Sequence, residues 1–296
     1  MGMTGLYGRV DRTEAIATIR AALDAGIDMI DTAEAYGPFA NELLVGEALA
    51  GRKHQAVVAT KVGYRLASGR MDGLDSRPES IRAAVEGSLG RLGVERIDLL
   101  YQHRVDPAVP IEDVVGAMGD LVHAGKVAHI GLSKAGADTI RRAHAVHPLA
   151  AVQSEYSLCE RGLEREVLPL LRSLGIGMVA YGPLGRGFLT DGGRSAGELD
   201  QADFRRSDPR FSATGFEGRR ASLAPLREVA AAHGATMAQV ALAWLLTRLP
   251  GLVPIPGTSS KHHLGLSMQA ADIDLSDLEM FRLSNLPGLE PAHEGR

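Results

Sequence analysis

The chain alternates short apolar runs with longer mixed stretches. Runs rich in Val, Ile, Leu and Ala that close on a polar residue predict strands over 27–31, 56–61, 97–103, 129–133, 151–154, 177–181 and 252–255. Between and around them, helical stretches are read over 13–24, 41–50, 78–92, 111–124, 137–146, 165–174, 223–233 and 237–248. Such alternation points to an α/β fold with parallel strands, whose polar closing residues gather at one face. The stretch 190–220 is different: rich in Gly, Ser, Asp and Arg, without steady apolar periodicity, and long for a connection within a compact domain. Loops of that kind are usually functional or mobile.

Composition narrows the reading. A length of 296 residues suits one α/β barrel domain spanning 1–296, and 45% hydrophobic residues suffice for its core. No repeat, low-complexity block or interdomain linker breaks it. A formal net charge of −4 without long runs of either sign argues against nucleic-acid or anionic-membrane partners. Cys159 is the only cysteine, so an intrachain disulfide is excluded, and no Cys/His spacing suggests a metal site. There is no basic-then-apolar leader and no apolar stretch of about 20 residues. A soluble, cytoplasmic protein is the expectation.

The polar residues at the strand ends carry the chemistry. Asp31 and Tyr36 lie in the run 30–37 (IDTAEAYG), Lys61 in 59–63 (ATKVG) and His103 in 101–104 (YQHR). Singly they have bland explanations, since a strand-end Asp often forms an Asx-turn and a loop tyrosine is usually a packed aromatic. Together they suit carbonyl reduction, which needs a proton donor at the oxygen; a tyrosine beside an ammonium can be one. In this arrangement and order they resemble the aldo-keto reductase superfamily, and the resemblance runs along almost the whole chain. The segment 136–156 is most similar to the bacterial and plant general aldo-keto reductases that include perakine reductase. The resemblance implies a (β/α)8 TIM barrel and direct hydride transfer from NADPH to an aldehyde or ketone. Tyr36 is then the general acid, Lys61 favours its proton release, Asp31 holds Lys61 by an ion pair, and His103 orients the carbonyl oxygen. Tyr64 would form a wall of the substrate pocket.

Seven strands are one short of that barrel. Only Met1 to Gly8 precede the first helix, so the N-terminal hairpin and most of the first strand are expected to be missing, with a start upstream of Met1 favoured over an incomplete barrel. No Gly-x-Gly-x-x-Gly opens a helix after a first strand, which argues against a Rossmann dehydrogenase. By resemblance, Ser133 and Gln153 bond the nicotinamide carboxamide and Tyr181 stacks on its ring. Gly182, Pro183, Leu184 and Arg186 take the pyrophosphate, where a guanidinium suits paired oxygens. Gly257, Thr258, Ser259 and His263 take the adenosine end and its 2′-phosphate, and the 190–220 loop covers the cofactor. NADPH is expected, with NADH as the alternative. Departures from the family pattern are His263 where arginine is frequent, Ser267 where asparagine usually contacts adenine, Lys134 after Ser133, and Cys159 where tryptophan is usual. Two rival readings remain: an NADP-binding regulatory module like potassium-channel β subunits, and an inactive, N-terminally truncated copy. The physiological substrate and the oligomeric state are not legible.

Overall fold

The computed structural model describes residues 3–5, 10–67, 69–201, 203–212 and 216–286. These form two compact units, one of 3–5, 10–154 and 170–177, the other of 155–169 and 178–286.

In the first unit, α1 (Arg12–Asp24) starts on Asp11, whose carboxylate accepts from the amides of Thr13 and Glu14 and so satisfies two open helix donors. Then follow β1 (Met29–Asp31), α2 (Ala40–Ala48), β2 (Val57–Val62), the antiparallel hairpin β3 (Tyr64–Ala67) and β4 (Arg70–Leu74), and α3 (Pro78–Leu92). Proline opens α3, where no amide is needed, and Gly93 ends it at φ 64. Next come β5 (Ile97–Gln102), α4 (Ile111–His123), β6 (Val127–Ser133), α5 (Ala137–Val146) and β7 (Ala151–Glu155).

The main strands pair in the order β1–β2–β5–β6–β7, each with its neighbour in parallel: Asp31 lies beside Ala59, Lys61 beside Tyr101, Gln102 beside Leu132, and Ser133 beside Gln153. Parallel pairing puts all the C-terminal strand ends on one edge, where Asp31, Lys61, Ser133 and Gln153 then sit. Beneath them Val58, Leu100, Ile130 and Val152 are buried, together with Ile19, Leu44, Val85, Val114 and Ile140 from the helices. Close approach demands glycine at 131, where a Cβ would fall 2.4 Å from the Ala151 carbonyl oxygen and 2.8 Å from the Tyr101 ring.

The second unit contains β8 (Gly177–Tyr181), whose residues from Met178 pair in parallel with β9 (Leu252–Pro254). Helix α6 (Val167–Leu174) precedes β8, and α7 (Phe216–Ala221), α8 (Ala224–Ala232) and α9 (Met237–Arg248) lead to β9, after which come α10 (Lys261–Gln269) and α11 (Asp277–Ser284). Capping boxes start α9 at Thr236 and α11 at Ser276. Trp244 of α9 is fully buried, packs on Tyr156 and donates from Nε1 to Ser284 Oγ at 3.0 Å.

The predicted strands and helices are present with shifts of one or two residues at their ends. The hairpin β3–β4 and the helices α7, α10 and α11 were not predicted: the hairpin, α7 and α11 are too short to carry a readable period, and α10 buries none of its residues. Among its described residues, 190–220 is not a bare loop. Short 3-10 turns at Phe204–Ser207 and Pro209–Phe211 are capped by Asp203 and Asp208, and Phe211 packs with Phe188 and Phe216. Most of the segment expected to replace a first strand, 1–2 and 6–8, lies outside the described residues.

Candidate active site

Lys61 is 1% exposed, an unusual place for a lysine. Its Nζ forms an ion pair with Asp31 Oδ1, donates to the Thr32 carbonyl at 2.9 Å, and is hydrogen-bonded to the Tyr36 side chain. It also stands 5.1 Å from the Tyr36 ring centroid. Burial works against the ammonium, but the charge of Asp31, then Tyr36, outweighs it and holds the lysine above its ordinary range. The other Asp31 oxygen, Oδ2, accepts from Gln153 Nε2 at 2.8 Å.

The turn between β1 and α2 places Tyr36. The Glu34 amide donates to the Lys61 carbonyl at 3.2 Å, and the Tyr36 amide donates to the Ala33 carbonyl at 3.1 Å. Thr32 Oγ1 bonds Asn41 Oδ1 at 2.8 Å beneath it, and Gly37 supplies φ 58. The turn is therefore fastened both to β2 and to the start of α2.

His103 follows β5 and donates its amide to the Val62 carbonyl at 2.8 Å. Its ring meets two tyrosines edge-on, Tyr36 at 5.6 Å and Tyr64 at 5.0 Å between centroids. Burial, then the charges of Lys61 and Arg104, depresses its pKa to about 2, so the imidazole is neutral at physiological pH. Its Nδ1 is buried without a partner among the described residues. Tyr36, Lys61, Asp31 and His103 thus form one cluster: a phenol, a neutral imidazole and a buried ammonium beside its carboxylate.

Ser133 and Gln153, paired in register, stand on the same strand edge and are buried. The commitment of Gln153 Nε2 to Asp31 orients the amide. Arg104 Nη1 donates to the His103 carbonyl at 2.6 Å and approaches Ser133 Oγ at 3.3 Å. Arg104 and Glu34 are contributors that sequence reading left without a role. Both stood in quoted segments, but nothing in a strand pattern says which charged residue turns inward.

In the second unit, the chain after Tyr181 makes successive tight turns. Gly182, Gly185, Arg186 and Gly187 all have positive φ, and a Cβ on Gly185 would lie 2.7 Å from Cys159 Sγ. Arg186 holds φ 59, a conformation unfavourable for a side chain. Its guanidinium closes a ring of four charges: Nη2 to Glu155 at 2.8 Å, Nη1 to Asp208 at 2.9 Å, with Arg210 bridging the same carboxylates at 2.7 Å each. The anticipated phosphate-binding arginine is thus engaged by protein carboxylates, and the 190–220 segment is tied to Glu155 within its own unit. At the other predicted subsite, Ser260 caps α10, Thr258 Oγ1 accepts from the Ser260 amide at 3.0 Å, and Gly257, Ser259 and His263 are exposed.

Known proteins resemble this chain along nearly its whole length. A family profile described as "Aldo/keto reductase family" matches residues 1–286. A soybean (Glycine max) protein, "Probable aldo-keto reductase 1", is 44% identical over 95% of this chain and 81% of its own length. Among solved structures, a glycerol dehydrogenase from Gluconobacter oxydans aligns at TM-score 0.88 with 31% identity, over 96% of this chain and 88% of that one. An aldo/keto reductase from Klebsiella pneumoniae, in complex with NADP and acetate, aligns at TM-score 0.76 with 28% identity, over 100% of this chain and 92% of that one.

Proposed function

The chain belongs to the aldo/keto reductase family of oxidoreductases, with that family's (β/α)8-type fold, and from this premise we propose that it reduces an aldehyde or ketone to an alcohol with NADPH, Tyr36 acting as general acid. The observation that carries the reading is the buried Lys61–Asp31 pair set against Tyr36, with a neutral His103 edge-on to the same phenol.

The residues present suit the nicotinamide cofactor. Gln153 Oε1 and Ser133 Oγ offer an acceptor and a hydroxyl of the kind a carboxamide needs. In the second unit, the glycine turns after Tyr181 and the Arg186 guanidinium suit a pyrophosphate, which has to compete with Glu155 and Asp208 for that arginine. Gly257, Thr258, Ser259 and His263 would take the 2′-phosphate at the start of α10. The 190–220 segment would cover the cofactor. When bound, NADPH supplies the hydride to the carbonyl carbon.

The protein's part is proton delivery and charge control. The carbonyl oxygen accepts from the Tyr36 hydroxyl and from a ring N–H of neutral His103, and both contacts strengthen as negative charge grows on it. Tyr36 gives up its proton, and the Lys61 ammonium beside it stabilises the phenolate that remains. Asp31 keeps that ammonium in place and charged. His103 orients the oxygen and stays neutral throughout.

The test is NADPH oxidation followed at 340 nm with a panel of small and aromatic aldehydes, alongside Tyr36→Phe. Turnover that depends on Tyr36 is the expected result. NADPH binding without turnover of any carbonyl would favour a regulatory role instead.

A further inference from the structure

Glu34, two residues before Tyr36, is 3% exposed and takes no part in the mechanism above. Its Oε1 accepts from the Gly63 amide at 3.2 Å, and the Tyr64 amide also hydrogen-bonds the carboxylate. Those amides form the turn that leaves β2 just beyond Lys61. The turn is fixed from its other side too: Asp75 donates its amide to the Gly63 carbonyl at 2.9 Å, and a Cβ on Gly63 would fall 2.9 Å from Ser76 Oγ. Tyr64, held by this turn, presents its ring edge-on to His103.

We propose that Glu34 is a positioning residue that sets the wall of the carbonyl site through the Gly63–Tyr64 turn, holding Tyr64 against His103. The proposal rests on the reductase reading for the use made of that wall, but the linkage itself lies in the unliganded protein. An ionised Glu34 accepts both amides strongly; a protonated one accepts weakly and releases the turn.

The charged groups packed around Glu34 put this switch in the working range. Burial and then Glu42 of α2 oppose its ionisation, while the Gly63 amide, Arg91 of α3 and the Tyr64 amide favour it, leaving its pKa raised to about 7. Arg91 is largely spent on Glu42, with Nε at 2.7 Å from Oε2. From β2, Lys61 is paired with Asp31, and His103 after β5 is neutral. The wall is accordingly set above about pH 7 and relaxed below it.

The experiment compares wild type, Glu34→Gln, Tyr64→Ala and the double variant between pH 5.5 and 8.5. His103 ring resonances in the cofactor-free protein are followed by NMR, together with KM and kcat for a turned-over aldehyde. The wild type should show a step in the His103 signals near pH 7, although His103 itself does not titrate there, and Glu34→Gln should abolish it. KM should fall roughly fivefold as pH rises through the step, the difference between a charged and a neutral hydrogen bond. It should stay at the high value in Glu34→Gln while kcat changes less. In the Tyr64→Ala background, Glu34→Gln should have no further effect on KM. A step that survives in Glu34→Gln, or equal effects of that substitution with and without Tyr64, would overturn the proposal. The NMR arm requires no turnover, so a failure of the reductase reading is seen separately.

Discussion

Gln153 and Asp31 are joined by a hydrogen bond of 2.8 Å, the amide Nε2 donating to the carboxylate Oδ2. Asp31 also holds Lys61, so an amide assigned to the nicotinamide and the charge behind the proton donor share one carboxylate. Replacing Gln153 by Met keeps its bulk but takes one donor from a buried carboxylate and one acceptor from the cofactor. The expected outcome is a loss of about 1–3 kcal/mol in urea unfolding and a roughly tenfold weaker NADPH dissociation constant. Unaltered values of both would show that this bond couples nothing.

Tyr36→Phe should lower kcat for carbonyl reduction by about 10²- to 10⁴-fold, the usual worth of positioned proton transfer. NADPH affinity, measured by fluorescence titration, should change little because the assigned cofactor contacts lie on other residues. Near wild-type turnover on every good substrate would remove Tyr36 from the donor role.

Glu34 also makes folding stability depend on pH in a definite direction. Its pKa is near 4.5 when unfolded and about 7 when folded, so the native state binds the extra proton. Its contribution is complete below about pH 4.5 and is lost as pH rises to about 7, roughly 3 kcal/mol in all. Glu34→Gln cannot titrate, so its stability relative to wild type should rise by up to that amount between pH 5 and pH 8 in urea denaturation. A pH-independent difference between the two proteins would contradict the assignment.

The four-charge ring of Arg186, Glu155, Arg210 and Asp208 ties 190–220 to its own unit. Arg210→Met leaves two largely buried carboxylates with one shared guanidinium fewer. Removing such a partner costs about 1–3 kcal/mol, here in local opening. Limited proteolysis under native conditions should cleave within 190–220 about tenfold faster or more, with a smaller change in Tm. Cleavage rates equal to wild type would mean that the phenylalanine cluster holds the segment alone.

His263 stands exposed near the capped start of α10, where the 2′-phosphate is assigned. His263→Arg adds a permanent charge and a forked donor, and should raise the preference for NADPH over NADH by roughly threefold to tenfold in dissociation constants. An unchanged ratio would place the 2′-phosphate elsewhere.

Strand and helix alternation, and the polar residues closing each strand, could be read directly, because an apolar run of five residues ending in Asp, Lys or His has few other uses in a parallel sheet. The parallel register then does locally what the pattern implied: it puts Asp31, Lys61, Ser133 and Gln153 on one edge. The hairpin after β2 and the short turns within 190–220 were not legible, since elements of three to five residues carry no measurable period and depend on capping side chains such as Asp203 and Asp208.

By itself, then, the sequence determined the order of elements, the family and the candidate catalytic set proposed above, all of which depend on residues in local runs. Tertiary structure decided which partners those residues keep: that Gln153 is bound to Asp31, that Arg186 is engaged by Glu155 and Asp208, and that Glu34 grips the turn bearing Tyr64. Such pairings join positions far apart in the chain, and their strength comes from burial, which lowers the local dielectric and penalises any unpaired charge. No linear pattern records that environment.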